Sequence, residues 1–298
     1  MFTINHVQNN IKTIDFIELR NSNNSCFAKI DLNLGGSLQE LRLGNKTVIS
    51  SENMPAYNTA YLSSILFPFA NRIENGSYSF NHKNFQLDTN EADNNNALHG
   101  LVYLKAFKLK SQESSEENAS VDLFYDEFEP TTGFPYKYYI NLQYTLTQNT
   151  LELKVVIKNK DKDEFPFSLG WHPYFKTSDL YISYLKINSQ KKLLVNDKMI
   201  PNGEEEIDLK DFFKIENKTF DDCFILNSNK VEFKTPDYHL ELKTSSKENY
   251  LQLYTPNSRK CIAIEPQTAP ANCFNNKMGL QILQPNKTYG ISWKINLK

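Results

Sequence analysis

The segment INLQYTLTQNTLELKVVIK at 140–158 decides the fold class of this chain. Over 140–147 apolar side chains occupy every second position with polar ones between them, and after a short turn at 148–149 the alternation resumes over 151–158. A period of two places alternate side chains on opposite faces of an extended strand. The segment therefore predicts a β-hairpin with one buried face and one more hydrated face.

Strand patterns also dominate the rest of the chain. Period-two runs recur at 238–243 and 291–297, and no segment keeps a 3.6-residue apolar period over three helical turns. The sequence contains no repeat of fixed length, which argues against a propeller with regular blades. Only the polar stretch SQESSEENA at 111–119 is predicted to be a loop or turn. Because nothing resembles a linker, we expect an all-β fold: one antiparallel domain over residues 1–298, with its unusual motifs on strand ends and loops.

The composition bounds the class of protein. Of the 298 residues, 40% are hydrophobic and 13% aromatic, so a large core can form. The 33 basic and 35 acidic residues give a net charge of -2 without a basic stripe for nucleic acid. The start, MFTINHVQNN, has no signal-peptide pattern, and no stretch approaches the ~20 apolar residues of a membrane span. Four cysteines without a CxxC pair predict free thiols in a reducing compartment. We therefore expect a cytoplasmic protein that binds neither nucleic acid nor membrane.

Four short segments stand out because each combines glycine, proline or aromatic residues with a side chain that can do chemistry. They are FANRIENG at 69–76, NALHG at 96–100, GWHPYF at 170–175 and IAIEPQT at 262–268. Together they supply an arginine, two histidines and a glutamate. The sequence has no GxSxG elbow, no GxxxxGK[ST] or GxGxxG loop and no HExxH pair. The segments therefore favour acid–base chemistry, with no metal and no organic cofactor required.

His172 and Glu265 each allow a structural and a chemical interpretation. His172 lies between Trp171 and Pro173. It is either one buried histidine of an aromatic core or a residue beside flat faces on which a sugar ring packs. Glu265 closes an alternating strand pattern and precedes Pro266, which we expect to end the strand. The carboxylate is either solvated at that strand end or held in a site, because burial without a partner costs heavily.

Arg72 and His99 are open to the same two interpretations. Arg72 follows Asn71 after the apolar run 65–70, so its planar guanidinium is expected near the core, in a structural ion pair or against hydroxyls or a carboxylate. His99 precedes Gly100, and a glycine permits close approach of backbone or ligand. The structural interpretation of His99 is a histidine at a strand end whose ring makes a hydrogen bond.

In this order the four segments resemble the aldose 1-epimerase family, the galactose mutarotase-like proteins. The resemblance runs from about Asn71 to the closing LQPNKTYGISWKI at 283–295. It implies an antiparallel β-supersandwich, in agreement with the strand pattern, and an enzyme that interconverts the anomers of a sugar. The implied partner is a small-molecule hexose and no cofactor is implied; we expect a monomer or a homodimer.

The resemblance assigns catalytic roles residue by residue. His172, two positions ahead of a Tyr-Phe pair, matches the proton donor of the family. Glu265, in a Glu-Pro-Gln segment, matches the proton acceptor. His99, in a His-Gly pair, matches the histidine that helps bind and polarise the ring oxygen.

Five further residues are implied to bind the substrate. They are Asn71, Arg72, Tyr174, Asp221 and Gln267. Arg72 matches the arginine that binds sugar hydroxyls in the family, and Asp221 is the best match for its sugar-binding aspartate. Asp222 stays open as the alternative to Asp221.

The sequence departs from the family pattern at three positions that each lie close to an implied site residue. Leu101 replaces a second glycine after the first histidine, Trp171 replaces an asparagine before the second, and Asp222 replaces a histidine after the aspartate. The implied acid and base are retained, so these departures put the identity of the sugar in doubt and not the class of reaction.

The implied mechanism needs a base at the anomeric hydroxyl and an acid at the ring oxygen. We therefore expect Glu265 ionised and His172 protonated near neutral pH, on opposite sides of a cleft a sugar's width apart. Two other functions stay open. A hexose-6-phosphate epimerase would use extra basic residues such as Lys105 and Lys176, and a sugar-binding protein would keep the pocket without turnover.

Overall fold

The computed structural model describes residues 1–298, of which 52% lie in strands and 4% in helices. The all-β prediction is therefore confirmed. The helices are single turns, α1 (Tyr57–Ala60) and α2 (Cys273–Asn276), and a 3-10 turn covers Glu74–Gly76. The strands are, in chain order, β1 (Phe2–Gln8), β2 (Asp15–Asn21), β3 (Phe27–Asp31), β4 (Ser37–Leu43), β5 (Lys46–Ser50), β6 (Ile65–Leu66), β7 (Arg72–Ile73), β8 (Ser77–Phe80), β9 (Lys83–Gln86), β10 (Ala97–Leu98), β11 (Lys108–Ser114), β12 (Asn118–Asp126), β13 (Tyr138–Thr147), β14 (Thr150–Asn159), β15 (Phe165–Phe167), β16 (Gly170–Trp171), β17 (Tyr174–Lys176), β18 (Tyr184–Lys186), β19 (Ser189–Val195), β20 (Pro201–Leu209), β21 (Phe213–Lys214), β22 (Asp221–Leu226), β23 (Lys230–Lys234), β24 (His239–Thr244), β25 (Tyr250–Tyr254), β26 (Cys261–Gln267), β27 (Gln281–Leu283) and β28 (Thr288–Leu297).

Three large antiparallel sheets organise these strands. A five-stranded sheet has the order β1-β2-β3-β4-β5, and a nine-stranded sheet has the order β11-β12-β13-β14-β28-β24-β23-β18-β21. An eight-stranded sheet has the order β20-β19-β22-β25-β26-β16-β6, with β17 beside β26. The pairs β10 with β7, β15 with β27 and β8 with β9 form small two-stranded sheets.

The predicted hairpin lies within the nine-stranded sheet as β13 and β14. Leu142 pairs with Val155, and the apolar face of both strands is buried. The nearby stretch 111–119, which we expected to be a loop or turn, is mostly strand: β11 and β12 pair through it and leave a turn at 115–117. Polar residues form a strand here because β11 is an edge strand with most of its side chains exposed.

The nine-stranded and eight-stranded sheets meet face to face. Trp293 of β28 stacks on Trp171 of β16 with ring centroids 6.0 Å apart, and Phe233 of β23 lies 6.4 Å from Phe175 of β17. These four residues belong to one cluster of 67 buried residues that also takes in the five-stranded sheet. We propose on this basis that residues 1–298 form a single domain.

The cysteines are buried and unpaired, which confirms the prediction of free thiols; they are Cys26, Cys223, Cys261 and Cys273. Neither of the two short helices has the length and apolar character that crossing a membrane requires.

Strand β26 continues through Pro266, so our expectation that this proline ends the strand is wrong. Pro266 pairs with Leu251 of β25. On the other side of β26 the amide of Ile264 donates to the carbonyl of Pro173 over 3.2 Å, and the alternation turns the nitrogen of Pro266 to that side. There it faces the break between β16 and β17, so the missing N–H leaves no ladder bond unmade. Glu265 is thus held in a strand interior, 2% exposed.

Candidate active site

A cavity of about 270 Å³ lies beside the eight-stranded sheet. Seven of the eight sequence-predicted site residues line it. They are Asn71, Arg72, His99, His172, Tyr174, Asp221 and Glu265. Segments far apart in the sequence thus meet at one place, and the eighth residue, Gln267, is not among the lining residues.

Three neighbouring strands present acidic and amide side chains to this cavity. On β26 Glu265 pairs with Gln252 of β25, and on β22 Asp221 pairs with Tyr254 of β25. Directly paired residues project from the same face of a sheet. The amide of Gln252 donates to Oδ1 of Asp221 over 2.8 Å, so the two strands are also joined at the cavity surface.

The same alternation separates the two neighbouring aspartates. Asp222 pairs with Leu253, which places it on the opposite face from Asp221. Its carboxylate lies 3.5 Å from Nζ of Lys192, away from the cavity. Asp221 is therefore the aspartate that a ligand in the cavity would meet.

His172 and Glu265 are in direct contact. Nε2 of His172 lies 3.3 Å from Oε1 of Glu265, and the two side chains are 5% and 2% exposed. The backbone of His172 bonds to both Ser63 and Ser64, and the ring of Tyr174 stacks on the imidazole at 5.0 Å. Our expectation of a sugar's width between the two groups is wrong, because no ring fits between touching atoms. Both groups therefore face the same end of a ligand in the cavity.

Burial shifts the pKa values of both members of this pair. It raises the pKa of Glu265 well above 4.5; the charge of Asp221 adds to this, while the amide of Gln267 and the charge of Arg72 oppose it. Burial also lowers the pKa of His172 from 6.5 to about 3. Both shifts disfavour the charged forms of the pair, because desolvating a carboxylate and an imidazolium is costly. They therefore run against our expectation of an ionised Glu265 and a protonated His172.

His99 stands on strained backbone beside His172. Its φ of 64° lies in the left-handed region, which non-glycine residues rarely adopt. Its N–H donates to the carbonyl of Asn71 over 2.8 Å, and its ring lies 5.0 Å from that of His172. At Gly100, with φ of 75°, a Cβ would lie 2.3 Å from the carbonyl oxygen of Phe67. Only glycine fits after His99, which explains the His-Gly pair.

Arg72 reaches the cavity while its guanidinium is bound by Glu91. Nε donates to the two carboxylate oxygens of Glu91 over 2.9 and 3.1 Å, and Nη2 lies 2.8 Å from Oε1. Nη1 donates to Oδ1 of Asn71 over 3.1 Å, and the amide of Asn71 donates to Gln252 over 3.3 Å. A continuous polar chain therefore runs from Glu91 to Asp221.

The sequence model of the family described as aldose 1-epimerase matches residues 15–296 of this chain. The chain belongs to the aldose 1-epimerase family. It is 24% identical over 276 residues to the Escherichia coli (strain K12) protein YihR. The match covers 88% of this chain and 87% of YihR.

Solved structures share the fold of this aldose 1-epimerase family member. A galactose mutarotase-like protein from Clostridium acetobutylicum superimposes with a TM-score of 0.88 at 20% identity, covering 100% of this chain and 98% of the other. Galactose 1-epimerase from Lactobacillus acidophilus NCFM gives a TM-score of 0.83 at 20% identity, with 100% and 98% covered. The predicted galactose mutarotase-like β-supersandwich is therefore confirmed.

Sequence reasoning misses six residues that line the cavity of this aldose 1-epimerase family member. They are Thr59, Ala60, Tyr61, Leu98, Gln252 and Tyr254. Gln252 and Tyr254 alternate with leucines in YLQLY at 250–254, and that period of two is the signal that identifies them. Tyr61 packs edge-on against His99 with centroids 4.6 Å apart, and no local pattern marks it.

Three residues considered from the sequence lie off the cavity. The amide of Gln267 donates to Oε2 of Glu265 over 3.1 Å, so it holds the carboxylate of Glu265 without lining the cavity. Nζ of Lys105 lies 3.3 Å from the carboxylate of Glu127, and Lys176 borders a separate recess with Asp237. Neither lysine of the hexose-6-phosphate hypothesis therefore lines the cavity of this family member.

Proposed function

We propose that this protein is an aldose 1-epimerase that interconverts the α and β anomers of a free hexose. The observation that carries the proposal is the buried contact between His172 and Glu265, 3.3 Å apart on the cavity lining. The anomeric hydroxyl and the ring oxygen of a pyranose are bonded to the same carbon. A base and an acid in contact with each other can therefore reach both oxygens at once, which ring opening requires.

The proposed reaction proceeds through the open-chain aldehyde. Glu265 removes the proton of the anomeric hydroxyl, and His172 delivers a proton to the ring oxygen. The bond between the anomeric carbon and the ring oxygen breaks as the carbonyl forms. The carbonyl group then rotates by about half a turn about the adjoining carbon–carbon bond, and both proton transfers reverse on the other face.

The pKa directions favour the end of the ring-opening step over its start. Ring opening starts with the proton on His172 and ends with it on Glu265, because each group exchanges one proton with the sugar. Burial raises the pKa of Glu265 and lowers that of His172, so the site favours the distribution present after ring opening. The pair holds one proton throughout and its net charge does not change. The same shifts disfavour the starting distribution in the free pair, so contacts with the bound sugar must offset the cost of moving the proton to His172 before the ring opens.

The remaining cavity residues are proposed to hold the sugar during this sequence. Arg72 and Asp221 bind hydroxyl groups, so that the open chain does not leave before it closes again. His99 assists at the ring oxygen, where its left-handed backbone points the imidazole next to His172. Asn71 links the arginine to Gln252, and Tyr174 supports His172 from the side.

Exchange spectroscopy by NMR tests the proposal. Magnetisation transfer between the anomeric protons of glucose or galactose should speed up in proportion to protein concentration. Acceleration confined to glucose 6-phosphate would support the hexose-6-phosphate alternative. Calorimetric binding of hexose without any acceleration would support the sugar-binding alternative and contradict the proposal.

The family resemblance also bears on the setting of this activity. We propose that the enzyme acts in the cytoplasm, as a monomer or homodimer, on a sugar whose identity is set by the cavity residues.

A further inference from the structure

Glu91 is the residue at this site that the reaction as proposed does not use. Both oxygens of its carboxylate accept hydrogen bonds from Arg72, and each side chain of the pair is 14% exposed. Burial would raise the pKa of Glu91, but hydrogen bonds and charge from Arg72 outweigh it and lower the pKa. The carboxylate is therefore ionised and neutralises the guanidinium.

The backbone around Glu91 is built to hold this contact. Glu91 and Asn96 exchange backbone hydrogen bonds over 3.1 and 3.3 Å, and the amide of Asn96 donates to Oε2 of Glu91 over 2.8 Å. Three residues after Asn96 the chain reaches His99, and β10 between them pairs Leu98 with Arg72. One short loop thus fixes the carboxylate, the arginine and the histidine relative to each other.

The contact also sets the charge of the cavity. Arg72 is the only arginine or lysine among the residues that line it, while Asp221 and Glu265 are both carboxylic acids on the lining. With the charge of Arg72 cancelled by Glu91, no free cation faces a ligand. An anionic substituent on a sugar would enter without a counter-charge, and burying an unpaired charge costs heavily.

We propose that Glu91 is a positioning residue that orients Arg72 and cancels its charge, so that the cavity selects neutral sugars over phosphorylated ones. This inference rests on the proposed function of the site. It assigns selectivity to a residue that touches the arginine and not the substrate.

The test compares rates on α-glucose and on glucose 6-phosphate in Glu91→Gln and in the parent. The kcat/KM ratio of phosphorylated to neutral sugar should rise about tenfold in Glu91→Gln, which corresponds to about 1.4 kcal/mol. The gain should come from a lower KM for the phosphate, with the KM for glucose raised because Arg72 is less well oriented. Glu91→Asp retains the charge and should keep the parent's ratio.

Two further variants separate this role from a general loss of structure. Glu74→Gln removes a carboxylate two positions from Arg72 that joins none of the ion pairs in the molecule, and it should leave the ratio unchanged. Arg72→Gln leaves Glu91 unopposed, so its ratio should fall below that of the parent. In the double variant, which carries both Glu91→Gln and Arg72→Gln, the change in the kcat/KM ratio that Glu91→Gln causes should differ from the change it causes in the parent. The reason is that the two residues act as a unit.

The outcomes distinguish the two proposals. If the parent accelerates glucose exchange but Glu91→Gln and Arg72→Gln both keep the parent's ratio, Glu91 has no role in selectivity and only this inference is overturned. Calorimetric titration of both sugars gives the same ratio from Kd values, so a protein that binds without turnover still tests Glu91. A parent that neither binds nor turns over a hexose overturns the proposed function and this inference together.

Discussion

Buried carboxylates occur in two regions of this molecule, and their pKa values move in opposite directions. At the cavity, burial raises the pKa of Glu265. On the nine-stranded sheet Glu232 and Glu241 pair directly across β23 and β24, with their side chains 9% and 6% exposed. Burial would raise the pKa of Glu232 too, but Lys298 and Lys230 outweigh it and lower the pKa to about 2.

The difference lies in the counter-charges. Glu232 lies 3.2 Å from Nζ of Lys230 and 2.9 Å from Nζ of Lys298. Glu265 has the imidazole of His172 and the amide of Gln267 beside it and forms no ion pair with a lysine or an arginine. A carboxylate surrounded by lysines stays ionised and serves structure. One buried without a cation holds its proton more firmly and is prepared to exchange it, which is typical of a catalytic site.

Replacing the cavity carboxylate should give the largest effect. Glu265→Gln removes the proposed base and should slow anomer exchange by about 10²–10⁴-fold, while hexose binding is retained. Polarimetry on freshly dissolved α-glucose measures the rate, and calorimetry measures binding. Glu232→Gln is the matched control and should keep the parent's rate. A Glu265→Gln protein as fast as the parent removes this residue from the mechanism.

The partner of that carboxylate comes next. His172→Asn removes the proposed acid and should lower kcat by about 10²-fold or more, because the ring oxygen then leaves without a proton. The same polarimetric assay measures it, with His82→Asn, a surface histidine outside the cavity, as the control. Full activity in His172→Asn would move the acid role to His99.

The pH dependence of kcat/KM tests the pKa shifts at the cavity. The pair must carry one proton, which it keeps between the lowered pKa of His172, about 3, and the raised pKa of Glu265. We therefore expect kcat/KM not to fall on the acid side through pH 6.5, the ordinary value for histidine. Rates across the range in which the protein stays folded measure this. A loss of kcat/KM centred on 6.5 as the pH falls would show that His172 gains its proton as an exposed histidine does.

Stability should respond in opposite directions at the two regions, with the smallest effect. The lowered pKa of Glu232 contributes stability above the unfolded value of 4.5, and this is lost as pH falls towards 2. Glu232→Gln should therefore lower the free energy of unfolding by about 1 kcal/mol at pH 7 and by less at acid pH. The raised pKa of Glu265 contributes stability below 4.5 that is lost as pH rises.

Glu265→Gln should therefore be at least as stable as the parent at pH 7, where the parent holds a carboxyl group in a setting that disfavours its ionised form. Urea unfolding at pH 7 and at pH 4 measures both variants. If both variants are destabilised equally at pH 7, the contrast between the two regions does not exist.

Local pattern was a sound guide to strands and a partial guide to the site. The alternation over 140–158 predicts β13 and β14 because one buried face is enough to specify a strand. The same local reasoning fails at Pro266, since whether a proline ends a strand depends on the neighbour that its nitrogen faces. It also fails for Glu91, which stands in a polar stretch that looks like any surface loop.

The sequence by itself determined the strand class, the four motif segments and the residue types able to exchange protons, because these depend on spacing along the chain. Only the tertiary structure decided that His172 touches Glu265, that Asp221 and not Asp222 faces the cavity, and that Glu91 holds Arg72. Those contacts depend on sheet register and burial. Both are set by strands far apart in the chain, and burial also shifts the pKa values of His172 and Glu265.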